Sequence, residues 1–409
     1  MTYKKSWDVN ITMNESELNI SLISHEFPPH MFGGIASNCF DLAYSLSKKN
    51  IKTTVYSGSS RIITRKKIND NLEVVYLPNL NLPPRFIWFQ LQNIRIFDTM
   101  MDKHSVFHAV DPSSSAYCAV LAKKYKKPLV SSIHWLPLMD LKTFLTAPFS
   151  YWTIGDFGFH VMEYPLTEFM QKTCINNSDH IIVHSLTTLN QIREINRDFN
   201  VKKASMIYNG INFDKINEIS FEATNKAAEV TIIFFGRLFY RKGMLHLINA
   251  IDKLKKDFPE ISLKIFGSGP LESKIRYLKK KMNLENIIET YGHVPYSDLI
   301  REIKKSDIVA LPSLYEVGPF ISALEAMACK KPVISFDLPF TREFIIHMYN
   351  GVLAKAGNVD DLSEKLNLLI SDASIRKQIG KNAFEYVREK HNWNRLINRY
   401  IEIYNELLA

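Results

Sequence analysis

Short runs of β-branched and aromatic residues alternate along this chain with longer segments whose apolar positions recur at helical spacing. The runs fall at 18–24, 53–57, 74–77, 106–109, 129–133, 180–183 and 205–208 in the first half, and at 230–235, 262–266, 287–291, 308–311 and 332–336 in the second. Such an alternation predicts parallel sheets with crossover helices on both faces, because a parallel strand pair needs a long connection to return to the same end of the sheet. Between Asn212 and Glu229 the chain turns polar and shows no strand signal, so this segment is expected to be a linker. The segment 373–408 has helical periodicity, and Trp393, Leu396, Ile397, Tyr400, Ile401, Tyr404 and Leu407 form an apolar stripe that must pack on something. The expectation is an α/β chain of two doubly wound domains, 1–218 and 226–389, each presenting its ligand-binding loops at the carboxyl ends of its strands.

Composition narrows the setting. At 409 residues the chain is longer than one hydrophobic core usually serves, which agrees with two domains. It has no uninterrupted apolar window long enough to span a bilayer, and Met1 to Ile20 has no apolar signal-like stretch, so a cytoplasmic protein is expected. Cys39, Cys118, Cys174 and Cys329 lie far apart without a C-x-x-C, as reduced thiols do and zinc or disulfide frameworks do not. The net charge of +9 attracts anions without naming one. Its lysine runs at 123–127 and 279–281 fall where helices end and complement the helix dipole; with no zinc-finger, RNP or KH signature, nucleic acid is not an expected partner. Aromatic residues beside basic ones at 83–89 and 135–169 fit either a buried core or peripheral contact with the inner membrane surface.

The candidate chemistry sits at strand ends. The run 230–235 leads into Gly236-Arg237-Leu238-Phe239-Tyr240-Arg241-Lys242-Gly243 and then a helix, so Arg237 and Lys242 flank a short loop where a pyrophosphate could meet helix N–H groups. Gly33 and Gly34 stand at the first strand-to-helix turn, where backbone can approach a ligand without a Cβ in the way, although a tight turn alone would also need them. Gly267-Ser268-Gly269-Pro270 repeats that arrangement, but Glu272 occupies the third glycine position of a dinucleotide fingerprint, which disfavours a dehydrogenase. After the run 308–311, Glu316 lies in a loop with Gly318, Pro319, Phe320 and Ile321, and Glu325 lies one turn into the following helix. A carboxylate can accept two hydrogen bonds from a vicinal diol, so Glu325 suits a ribose and Glu316 a hexose; taken singly, a helix-start Glu is more often only a helix-dipole partner.

Taken in order, these segments resemble the retaining glycosyltransferases of family 4, with the two-domain GT-B fold and its central cleft. The resemblance runs through 28–35, 208–212, 236–243, 267–270, 292–295, 306–313 and 324–328. It implies a nucleotide-sugar donor, UDP- or GDP-linked, and a hydroxyl acceptor on a glycan, a lipid carrier or a small molecule. Neither a metal nor any other cofactor is implied, and the chain has no D-x-D to hold one. By the same likeness Arg237 and Lys242 hold the donor pyrophosphate opposite Gly33 and Gly34, Glu325 binds the ribose, and Glu316 and His134 approach the donor sugar. Gly267, Gly269, Val294, Gly318, Pro319, Phe320 and Ile321 complete the donor pocket, and the helix 390–409 crosses back onto the first domain. Eight residues, 317–324, separate Glu316 from Glu325, one more than the family pattern, and the extra residue falls in the loop 317–322. Rival readings are an epimerase or hydrolase acting on nucleotide-sugars with the same fold, and a non-catalytic subunit that binds them.

Overall fold

The computed structural model describes residues 18–30, 33–59, 62–149, 152, 154–196, 199–221, 230–316 and 318–409, with backbone alone at 155, 156, 159 and 160. The expected loop residues Met31, Phe32 and Val317, and 222–229 of the expected linker, lie outside the described residues.

The first sheet contains β1 (Asn19–Ser24), β2 (Lys52–Gly58), β3 (Thr64–Asn69), β4 (Leu72–Leu77), β5 (Val106–Ala109), β6 (Leu129–Ile133), β7 (His180–Val183) and β8 (Ala204–Met206). The second contains β9 (Thr231–Phe235), β10 (Ser262–Phe266), β11 (Ile288–Gly292), β12 (Ile308–Ala310), β13 (Val333–Asp337) and β14 (Val352–Lys355). Their orders are β3-β4-β2-β1-β5-β6-β7-β8 and β11-β10-β9-β12-β13-β14. Among the strands of the described residues, only β3 pairs antiparallel, with β4. Pattern reading passes over β3 because Thr-Arg-Lys-Lys-Ile-Asn has no apolar alternation; the strand lies at an edge, mostly exposed, and is held by backbone pairing. The four-residue β14 is a second edge strand missing from the pattern.

Each sheet reverses direction at one point. The chain leaves β1 toward β2 and later returns on its other side at β5; likewise it leaves β9 toward β10 and returns at β12. The crevice beyond the carboxyl ends at such a reversal is where doubly wound sheets bind ligands. In the first sheet Ile23 pairs with Ala109, so the same register carried two residues further sets His25 opposite Asp111. In the second, Ile233 pairs with Val309, and the loops after β9 and β12 emerge side by side.

Part of the expected linker is helical. Asn212 caps Phe213–Asn217, accepting the Lys215 N–H, and Phe213 and Ile216 are buried. Polarity misled here because the helix buries one face only. The closing helix Trp393–Leu408 lies on the first sheet: its Trp393, Ile397, Tyr400, Ile403 and Tyr404 share a core with Leu18, Ile20, Leu22, Cys39 and Leu42. The Tyr404 hydroxyl is hydrogen-bonded to His108 Nδ1 at 2.6 Å.

Candidate active site

The loops of the second sheet lie backbone against backbone. Leu238 N donates to the Ser268 carbonyl at 2.9 Å, and Leu314 N to the Arg241 carbonyl at 2.7 Å. Such closeness explains the glycines. Gly243 has φ 71°, and a Cβ there would stand 1.8 Å from the Pro312 carbonyl oxygen; at Gly267 it would stand 1.9 Å from that of Gly236. Gly269 rests on the backbone of Leu238 in the same way. Gly243→Ala is expected to destabilise the protein by more than the ~1–2 kcal/mol of a left-handed L-residue, since the clash adds to it. Thermal unfolding measures this, and an unchanged midpoint would contradict the packing described.

Charge is paired throughout the loops. Lys242 Nζ bonds Glu316 Oε1, Ser313 Oγ donates to the same oxygen at 3.0 Å, and Arg241 Nη1 lies 3.4 Å from Glu316 Oε2. Burial pushes the Glu316 carboxyl up, but Lys242 and Arg241 outweigh it and hold it below the usual carboxylate range. Arg241 Nε also reaches Asp140 Oδ1 at 3.3 Å, on the first domain's helix Pro137–Leu145. Arg237 crosses the cleft too, with Nη2 3.1 Å from Glu26 Oε1. Sequence reading set Arg237 and Lys242 as two cations awaiting a pyrophosphate; in the structure each is engaged by a carboxylate. Glu26, Arg241 and Asp140 were missed. Arg241 stands inside a segment that carried the resemblance and Glu26 two residues before one, whereas nothing in the sequence marks Asp140.

The two glycine turns meet the second domain directly. A Cβ on Gly33 would lie 3.1 Å from Arg237 Nη2, and one on Gly34 3.6 Å from Ile321 Cγ1. Gly318, at φ 70°, packs on the His184 carbonyl, and the Pro319 carbonyl accepts from Asn209 Nδ2 at 2.8 Å. Phe320 is buried, edge-on to Phe344, and the half-buried Val294 packs against the second domain's core. Glu343 adds a further tie, accepting from Leu186 N at 2.8 Å and Thr187 N at 2.7 Å at the start of the helix Leu186–Ile195. The cleft is closed.

Glu325 is buried on the helix Ile321–Ala328. Burial raises its carboxyl to about 7 against the pull of Lys215 and a hydrogen bond from Tyr296. The Lys215 ammonium sits 4.1 Å from the centre of the Tyr296 ring. His134 stacks on His184 with ring centres 4.3 Å apart, and its Nε2 is buried without a hydrogen-bond partner among the described residues. His184 Nδ1 donates to the Ile207 carbonyl at 2.8 Å. Burial holds both rings neutral, His134 well below its ordinary value and His184 at about 4. A neutral imidazole with an unpaired nitrogen can hydrogen-bond a sugar hydroxyl. Among the described residues, no group of three or more His, Cys, Asp and Glu is placed to hold a metal ion.

Two family profiles divide the chain between them: Glycosyltransferase Family 4 over residues 32–215 and Glycosyl transferases group 1 over 215–386. The chain belongs to the family 4, group 1 glycosyltransferases. This glycosyltransferase is 28% identical to an uncharacterized glycosyltransferase of Methanocaldococcus jannaschii over 404 residues, covering 95% of this chain and 98% of that one. Its fold matches sucrose-phosphate synthase from Thermosynechococcus elongatus with a TM-score of 0.80 at 20% identity, covering 96% and 99% of the two chains. It also matches Anabaena HepE, solved in complex with UDP-glucose, with a TM-score of 0.70 at 17% identity, covering 95% and 100%. The enzyme is a transferase with the GT-B fold, and among its described residues no helix is long and apolar enough to cross a membrane.

Proposed function

We propose that this glycosyltransferase moves a sugar from a UDP- or GDP-linked donor to an acceptor hydroxyl with retention of anomeric configuration and without a metal ion. One observation carries the reading. The cationic loop after β9, at the reversal point of the second sheet, abuts the glycine turn after β1, with Arg237 Nη2 3.1 Å from where a Gly33 Cβ would stand. As the glycosidic bond breaks, negative charge builds on the diphosphate, and Arg237, Lys242 and the glycine-turn N–H groups stabilise it where a metal otherwise would. Residues 226–389 hold the donor, with Glu325 on the ribose and Glu316 and His134 at the sugar. Residues 1–218 hold the acceptor.

If configuration is retained, the state of Glu316, which three neighbours tie down, fits a front-face route better than a double displacement that would need it as a nucleophile. The acceptor then attacks from the face the leaving group departs, and the departing phosphate oxygen takes the acceptor's proton. Exposed Leu145, Phe149, Ile154, Met162 and Phe169 on the acceptor side favour a lipid-linked acceptor at a membrane surface over a free glycan. The UDP-glucose complex of HepE makes UDP-sugars the first donors to try.

Screening UDP-, GDP- and ADP-sugars by thermal unfolding tests the donor class, since a ligand bound only by the folded state at a hundred times its Kd adds about 2.7 kcal/mol. One nucleotide class is expected to raise the midpoint, and NMR of the product made from it reports the anomer. A flat response to all three, or an inverted product, would overturn the reading.

A further inference from the structure

His25 and Asp111 form a dyad at the reversal point of the first sheet that the donor site described so far does not use. They are 86 residues apart in sequence, and the β1–β5 register brings them together with His25 Nδ1 2.5 Å from Asp111 Oδ2. Asp111 is fully buried, and its other oxygen accepts Ser113 N at 3.2 Å, so the carboxylate cannot turn away. The His25 ring is thereby fixed with Nε2 directed toward the cleft side, 3.7 Å from Glu26 Oε1. That same oxygen lies 3.1 Å from Arg237 Nη2. An imidazole from one domain and a guanidinium from the other therefore converge on one carboxylate oxygen.

On the donor reading, Glu26 Oε1 occupies a place that a ligand anion would compete for, since either would be held there by charge-assisted hydrogen bonds. We propose that His25, oriented by Asp111, is the first domain's half of the diphosphate clamp: its imidazolium donates through Nε2 to the leaving phosphate oxygen, in the place Glu26 Oε1 now holds. The inference rests on the donor reading above. In the transfer step the bond from the anomeric carbon to the diphosphate oxygen breaks and its electron pair stays on that oxygen. The acceptor oxygen bonds the anomeric carbon, and its proton passes to the phosphate. His25 keeps its own proton throughout and supplies a charge-assisted hydrogen bond, while Glu26 gives up Arg237 to the diphosphate.

Electrostatics agree with this geometry. Burial lowers the tendency of His25 to protonate, but the Asp111 carboxylate in contact, aided by Glu26, more than compensates and leaves its pKa raised despite Arg237. Those three are the charged groups bearing on the ring: Asp111 from the loop after β5, Glu26 beside it, and Arg237 from the second domain. A raised histidine pKa means that the positive ring is present below its ordinary value and is lost as pH rises through the folded-state value.

The released nucleoside diphosphate is the leaving group itself, so its affinity reports the clamp. Calorimetric titration of UDP and of GDP into the parent enzyme, His25→Gln, Asp111→Asn and Glu26→Gln, at about pH 6 and about pH 9, tests the proposal. His25→Gln is expected to weaken binding about tenfold at the lower pH, with the gap from the parent closing at the higher. The ligand's own terminal phosphate titrates in this range, so the readout is the difference between parent and variant. Asp111→Asn should narrow that difference, and Glu26→Gln should tighten binding by removing the competing anion. A parent and His25→Gln with the same affinity at both values, or with a pH-independent gap, would overturn the proposal, as a purely structural dyad predicts. Should His25→Gln not fold, Glu26→Gln decides, since unchanged or weaker binding there contradicts the competition. Arg237→Ala separates the two readings: intact binding in that variant defeats the donor assignment, whereas weakened binding there with an unaffected His25→Gln defeats only the dyad. A parent that binds neither diphosphate defeats both.

Discussion

Arg237→Ala is expected to lower kcat by about 10²–10³, the loss that follows removal of one preorganised donor to developing negative charge. The thermal midpoint should hardly move. The Arg237 side chain is 38% exposed, and its pair with Glu26 spans a cleft rather than a core, so the bond contributes little to folding. Turnover of the donor found by screening, measured beside an unfolding curve, checks both halves. Unaltered turnover would remove Arg237 from the site. Lys242→Ala differs in kind, because Lys242 is the short-range partner of buried Glu316 and only Arg241 and Ser313 would remain to satisfy that carboxylate. Its stability should fall together with its rate.

Trp393→Ala is expected to destabilise the protein by about 3–5 kcal/mol, the range for deleting a buried tryptophan. Trp393 is almost wholly buried, and a Cβ on Gly210 would touch its ring at 3.0 Å, so the indole lies flush on the backbone that leads out of the first domain. Nearby, Ile211 N donates to the His391 carbonyl at 2.6 Å and Trp393 N to the Ile211 carbonyl at 3.3 Å, stitching the chain's end to the crossover between domains. Losing the indole should free the closing helix as a unit. Denaturant unfolding followed by circular dichroism checks the size of the loss; a change below about 1 kcal/mol would mean that the helix is held elsewhere.

Much of this architecture was legible beforehand. The strand Thr231–Phe235 reads as an apolar run from Ile232 onward, and Leu129–Ile133 is buried along its whole length, because both their faces are covered. The loops announced themselves through glycines whose positions no other residue could fill: Gly243 and Gly267 have no room for a Cβ against Pro312 and Gly236. Elements that owe their existence to pairing or to one-sided burial escaped notice. The strand Thr64–Asn69 is polar and survives on the hydrogen bonds of its neighbour, and the helix Phe213–Asn217 hides two buried side chains in a polar stretch.

The partners of the charged residues were not legible at all. Arg237 and Glu26 are 211 residues apart, Arg241 and Asp140 belong to different domains, and His25 meets Asp111 only because β1 and β5 are neighbours in the sheet. Lys215 and Tyr296, which surround Glu325, come from two helices outside its own motif. Local sequence determined which segments become strands, where their loops must be glycine, and to which family the chain belongs, because those properties depend on side-chain size and backbone freedom within a few residues. The tertiary structure decided which carboxylate each cation meets, because ion pairing depends on distances that only strand order and the closing of one domain on the other create.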